Sequence, residues 1–194
     1  MTNFLSLPPE VRLQIYVLIL DPNTHNASYN TIRRLTDEAY KDANKIDLTP
    51  SALLPRFHVS RYTPSVLLLN KQITAEALPV LYSTPLTLIG PPSTYFVLRQ
   101  MDIAEFICET LLQRMRVVVI RLEHPEKLFV LSLLDIWGRG CALKKLVVYL
   151  PKPEIRRTDR RRWSVVENRL KTFADVGGIP LEMKEVKSPL ENNN

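Results

Sequence analysis

Val11, Ile15, Leu18 and Ile19 recur at i, i+4, i+7 and i+8, the period of one helix face, and predict a short helix over 11–20. Pro8 and Pro9 open it and Glu10 lies in its first turn, where proline's fixed φ and a negative charge both suit a helix start. Asp21-Pro22-Asn23 ends it. Residues 23–63 keep no sustained period: Pro50 and Pro55 interrupt them, and only weak elements are legible around 32–43 and 56–62. A second helical period follows Pro64-Ser65, carried by Val66, Leu69, Ile73 and Ala77 and running to Tyr82. Pro79 should kink or restart that helix, because it removes a backbone donor and crowds the preceding turn.

After Pro85 the pattern changes to short apolar runs alternating with amphipathic stretches. Strands are predicted at 86–89, 117–120, 145–149 and, as a final edge strand, 181–186. Helices are predicted at 102–115, burying Ile103, Phe106, Ile107 and Leu111, and at 126–137 and 159–176. In the last, Trp163, Val166, Leu170 and Phe173 share the inward face. Strands spaced by about 30 residues fall at the long end of leucine-rich-repeat periods, and such alternation implies right-handed crossovers and a mainly parallel sheet. The unbroken run Val117 to Ile120 predicts a strand buried on both faces. The fold class expected is therefore α/β (α+β overall): a helical unit over 1–84 with an irregular insertion at 23–63, an α/β repeat-like βαβαβαβ unit over 85–187, and a disordered polar tail at 188–194.

Composition narrows the function classes. Hydrophobic residues make up 45% of the 194 and charged residues 24%, which excludes wholesale disorder. At this length roughly 70% of the unfolded surface can be buried, so neither a disulfide framework nor a metal is needed for a core. The five glycines do not form a phosphate-binding loop: the one G-x-G, Gly138-Arg139-Gly140, follows a helix, and no P-loop or nucleophile elbow is present. His25, His58 and His124 show no ligand spacing with Cys108 or Cys141, so no metal or cofactor site is legible. Cys108, beside Phe106 and Ile107, is expected to be a buried inert thiol rather than a nucleophile served by His124. Carboxylates are scattered without an acid–base pair, and a non-enzymatic protein is expected. No membrane span or signal-peptide core is legible, so a cytoplasmic or nuclear location is expected. Asn26-Ala27-Ser28 is then a chance glycosylation match.

The segment Leu7-Pro8-Pro9-Glu10-Val11-Arg12-Leu13-Gln14-Ile15-Tyr16 resembles the opening of the F-box, a Leu-Pro-x-Glu followed by an apolar helix. It is closer still to the F-box-like proteins numerous in filamentous fungi, in which a second segment similar to Asn70-Lys71-Gln72-Ile73-Thr74-Ala75-Glu76-Ala77-Leu78-Pro79-Val80-Leu81-Tyr82 follows after an insertion. The two segments cover about 30 residues, and their pairing is more specific than either alone. The resemblance implies a protein–protein interaction module that docks on the Skp-type adaptor of a cullin ubiquitin ligase, with a following domain, often leucine-rich, that captures a substrate. Carried over by position, the partner-binding residues are Leu7, Pro8, Glu10, Val11, Ile15 and Leu18. Residues 23–63 depart from the compact F-box. The alternative for the helix stripe is packing on the second helix as core.

Charge adds one more candidate. The chain carries 26 basic and 20 acidic side chains, a net +6. Residues 152–171 hold eight basic residues against three acidic ones, so five of the six excess charges fall in one loop and helix. Arg156, Arg157, Arg160, Arg161, Arg162 and Arg169 form the predicted basic patch, with Arg161 outermost. A solvated helix face explains such a run; contact with nucleic acid, chromatin or an acidic protein surface is the functional alternative. A structural subunit of a larger assembly is a third reading, because so few repeats offer little concave surface.

Overall fold

The structure is a computed structural model that describes residues 4–23, 38, 65–90, 107–157 and 159–185. The weak elements predicted at 32–43 (residue 38 apart) and 56–62, residues 102–106 of the helix expected over 102–115, with Ile103 and Phe106, His25, His58, the Asn26 acceptor site and the tail at 188–194 lie outside the described residues. Within them that helix is shorter than expected, since Ile107 lies in a bend, Cys108 is extended and the helix begins at Glu109.

A 3-10 turn at Phe4–Ser6 leads into α1 (Pro9–Ile19). Pro8 lies just before the helix, and its carbonyl accepts from the amides of Val11 at 3.0 Å and Arg12 at 3.1 Å. A second 3-10 turn at Ser65–Leu68 precedes α2 (Lys71–Ser83). The predicted continuous helix from 64 is thus broken at Leu69 and Asn70. The Asn70 side chain accepts from the Gln72 amide at 2.8 Å and begins a new helix, as short polar side chains do at N-caps. Pro79 does not restart it, and α2 runs through to Ser83. Pro79 and Ala75 are both exposed, so water can serve the carbonyl that loses its donor.

The remainder is mixed helix and strand around a four-stranded parallel sheet in sequential order: β1 (Leu86–Ile89), β2 (Val117–Arg121), β3 (Lys145–Leu150) and β4 (Leu181–Glu185). Between the strands lie α3 (Glu109–Arg114), α4 (Lys127–Gly138), the single turn α5 (Pro153–Arg156) and α6 (Arg160–Gly177). Register aligns Leu86, Val118, Leu146 and Leu181 in one cross-strand row, and Leu88, Ile120, Val148 and Met183 in the next on the same face. That face packs against Leu112, Phe129, Leu133, Trp137, Trp163, Val166 and Leu170 of the helices. Trp137 also donates its indole N–H to the Leu112 carbonyl at 3.1 Å, tying α4 to α3.

The opposite face corrects the expectation for 117–120. Val118 and Ile120 are buried, but Val117 and Val119 are half-exposed. Their neighbours on that face include Lys145, Glu182, Tyr149 and Lys184, and Lys145 pairs with Glu182 at 2.5 Å. With sequential strand order and crossovers of one hand, the helices cover one side of the sheet and β2 alternates as a one-sided strand does.

Tyr16, Leu20, Ile73, Ala77, Val80 and Leu81 form a separate cluster between α1 and α2, joined to the main core through Tyr82 and Leu111. Asn23 reinforces the junction: its side chain donates to the Pro85 carbonyl at 3.1 Å and accepts from the Thr87 amide at 2.6 Å.

Candidate functional site

The face that α1 buries is not the one its hydropathy predicts. Arg12, Tyr16 and Leu20, at i, i+4 and i+8, turn inward and are buried. Val11 and Leu18 are exposed and Ile15 is half-buried, so the predicted stripe does share a face, and that face points outward. Packing on α2 as core is thereby excluded for Val11 and Leu18. Leu13, Val17 and Ile19 are exposed as well, with Val17 at 61% and Leu18 at 83%. Of the other residues assigned to partner docking, Leu7 is half-buried, and Pro8 and Glu10 are exposed.

A polar network explains the orientation. Arg12 makes a two-pronged contact with Glu76 of α2, Nε to Oε2 at 2.9 Å and Nη2 to Oε1 at 2.8 Å. Its Nη1 donates to the carbonyls of Leu7 at 2.6 Å and Leu5 at 3.2 Å, folding the N-terminal segment over the helix. The Tyr16 hydroxyl donates to Glu76 Oε2 at 3.0 Å and Gln72 Nε2 to Oε1 at 3.0 Å. The Arg12 guanidinium, then Gln72 and Tyr16, stabilise the carboxylate and hold Glu76 at about 2, well below its ordinary range, while burial raises Tyr16. A forked guanidinium–carboxylate contact fixes direction as well as distance. It sets the rotation of α1 about its own axis, and five aliphatic side chains are left facing solvent. Leu68 and Leu69, in and beside the 3-10 turn before α2, are also exposed.

In the basic segment, Arg156 leaves the predicted patch. Its guanidinium is half-buried and pairs with Glu167 of α6 at 2.7 Å and Glu185 of β4 at 3.1 Å, so it joins α5, α6 and the edge strand. Arg157, Arg160, Arg161, Arg162 and Arg169 are exposed, and Trp163 is in the core at 3% exposure. Two concavities flank the N-terminal end of α6. One, of about 420 Å³, lies beside Arg157, Arg160 and Ser164. The other, of about 610 Å³, opens between the starts of α4 and α6 and is lined by Glu126, Lys127 and Leu128 on one side and Arg161, Arg162 and Val165 on the other. Burial lifts Glu126 to about 7.

Cys108 is exposed immediately before α3, which corrects the expectation of a buried thiol; it precedes the apolar helix face instead of lying on it. Cys141 is also exposed, and neither is in a disulfide. Among the described residues no group of three His, Cys, Asp or Glu is placed to hold a metal ion, and no described helix is long and apolar enough to cross a membrane.

Sequence reasoning missed Arg12, Tyr16, Glu76 and Glu126 as organising residues. The i, i+4, i+8 spacing of Arg12, Tyr16 and Leu20 was a readable signal for the first two, since it marks a second candidate face on the same helix. Comparison with known proteins adds no relative: no protein-family model matches the sequence, and neither a curated protein nor a solved structure is significantly similar to the chain.

Proposed function

We infer that the chain is a non-enzymatic, F-box-like protein–protein interaction module whose α1 docks on a partner, the Skp-type adaptor of a cullin ubiquitin ligase. The observation that carries this reading is the inverted amphipathicity of α1: a charged and aromatic network faces inward, and Val11, Leu13, Val17, Leu18 and Ile19 face out. Of these, Val11, Leu18 and Ile19, at i, i+7 and i+8, share one side with the half-buried Ile15; an exposed aliphatic strip of this kind marks an interaction site, and helices that dock in partner grooves use apolar anchors at such spacings. The Leu7-Pro8-Pro9-Glu10 opening supplies the choice of partner.

The test is copurification of the chain with the adaptor, repeated for Val17→Asp with Leu18→Asp and for Leu7→Ala with Pro8→Ala, each shown by circular dichroism to be folded. Loss of the adaptor in the first pair and weakening in the second is expected. Retention in both would remove α1 as the docking element, and no capture by the unaltered chain would remove the ligase reading.

A second reading, contact with nucleic acid or chromatin, is favoured by the exposed Arg160, Arg161 and Arg162 at the start of α6. It requires duplex binding that falls steeply with salt and falls further when these arginines are replaced.

A further inference from the structure

We propose that the concavity between the N-terminal ends of α4 and α6 is a second docking site, and that it takes a short acidic peptide segment of a partner protein carrying apolar side chains among its carboxylates. The proposal rests on the interaction-module reading but uses a surface separate from α1.

Three features of the concavity select this occupant. Lys127, Arg161 and Arg162 line it, against Asp159 and Glu126, and among the described residues the two arginines form no ion pair. The N-terminal ends of a 12-residue and an 18-residue helix meet there and add positive potential to that of the side chains. Negative charge is the complement.

The second feature is apolar. Leu128 at 54% exposure and Val165 at 37% stand among the cations, offering area that carboxylates alone leave uncovered. An acidic peptide with interspersed apolar side chains matches both kinds of surface. A nucleic-acid strand matches only the first: Trp163, the aromatic residue of the arginine segment, is sealed in the core and gives bases no platform for stacking.

The third is Glu126. It lines the same concavity at 6% exposure, and its Oε1 is buried without a hydrogen-bond partner. Buried polar groups are nearly always paired, so among the described residues an acceptor in the wall of the concavity is left without a partner, and a rotation of the Glu126 side chain toward the opening would bring it to the main-chain N–H groups of an entering peptide. His124 also lines the concavity.

The test uses the full chain and a short fluorescein-labelled peptide alternating glutamate with leucine, followed by fluorescence anisotropy. Saturable binding is expected, weakened at least about tenfold by Arg161→Glu with Arg162→Glu and, separately, by Val165→Asp. Arg169→Glu with Lys171→Glu makes the same charge change further along α6 and is expected to alter affinity by less than about twofold. Leu18→Asp is expected to leave peptide binding unchanged, so failure of the α1 reading and failure of this one are separable. Equal weakening by the Arg169 and Lys171 pair would overturn the site in favour of diffuse attraction. Absence of saturable binding would overturn it outright. A DNA duplex bound more tightly than the peptide, and lost in the same Arg161 and Arg162 variant, would replace it with a nucleic-acid surface.

Discussion

Glu76 and Glu126 show how one residue type is driven in opposite directions by its surroundings. Glu76 meets Arg12, Gln72 and Tyr16, and its folded-state value of about 2 lies below the ordinary 4.5. Its contribution to stability is complete above 4.5 and is lost as pH falls towards 2. Glu76→Gln should lower Tm at neutral pH and flatten the acid limb of a stability–pH profile followed by circular dichroism. The flattening is partial, because Glu182 is held at about 2 in the same way by Lys145 and Lys184. Glu126 is raised to about 7 by burial, so between 4.5 and 7 the folded chain holds a proton that the unfolded chain has released. Stability therefore falls as pH rises through that window. Glu126→Gln keeps the shape without the charge; it should be more stable than the unaltered chain at pH 8 by on the order of 3 kcal/mol and nearly equal to it at pH 4. Denaturant titrations at the two pH values check this. Neither role could be read from sequence, because each depends on what surrounds a carboxylate and not on which residues flank it.

At the scale of elements, legibility followed how local the cause was. Helix α6 was visible because Trp163, Val166 and Leu170 repeat with its period and are buried, and the strands because short β-branched and aliphatic runs lie between breakers. Its C-terminal stop has a local cause too. Gly178 adopts φ +61°, and Ile179 N–H reaches back to the Ala174 carbonyl at 2.8 Å, closing the helix with a left-handed cap. An added Cβ at Gly178 would meet nothing within 4 Å, so the cost of Gly178→Ala is conformational, about 1 kcal/mol. Thermal unfolding should show a drop of a few degrees. The orientation of α1 had no such local cause. A hydropathy count places the arginine outside and the aliphatic stripe inside, and only Glu76 on α2, 64 residues away, reverses that choice. The single helix predicted from 64 failed for a related reason: the Asn70 side chain competes locally for the backbone and begins a new helix.

For the whole molecule, the division between residues that hold the fold and residues available to partners is sharp enough to test. Leu146 is fully buried in the central cross-strand row, and Leu146→Ala should cost about 2–5 kcal/mol. Leu18→Asp, on the outward face of α1, should stay within about 0.5 kcal/mol of the unaltered chain. Chemical denaturation of both variants checks the contrast. The mixed α/β class, the four strand positions, the helices near 127–138 and 160–177, the parallel sheet and the concentration of positive charge near 152–171 were all legible in the order of residues, because periodicity, crossover length and composition act within a few tens of residues. Long-range packing was needed to place the helices on one side of the sheet, to tie Arg156 down between α6 and β4, to turn the aliphatic side chains of α1 outward, and to bury Glu126 beside two helix starts. Each of these depends on a partner distant in sequence, and the free energy of burying or pairing a side chain is defined only once that partner is in place.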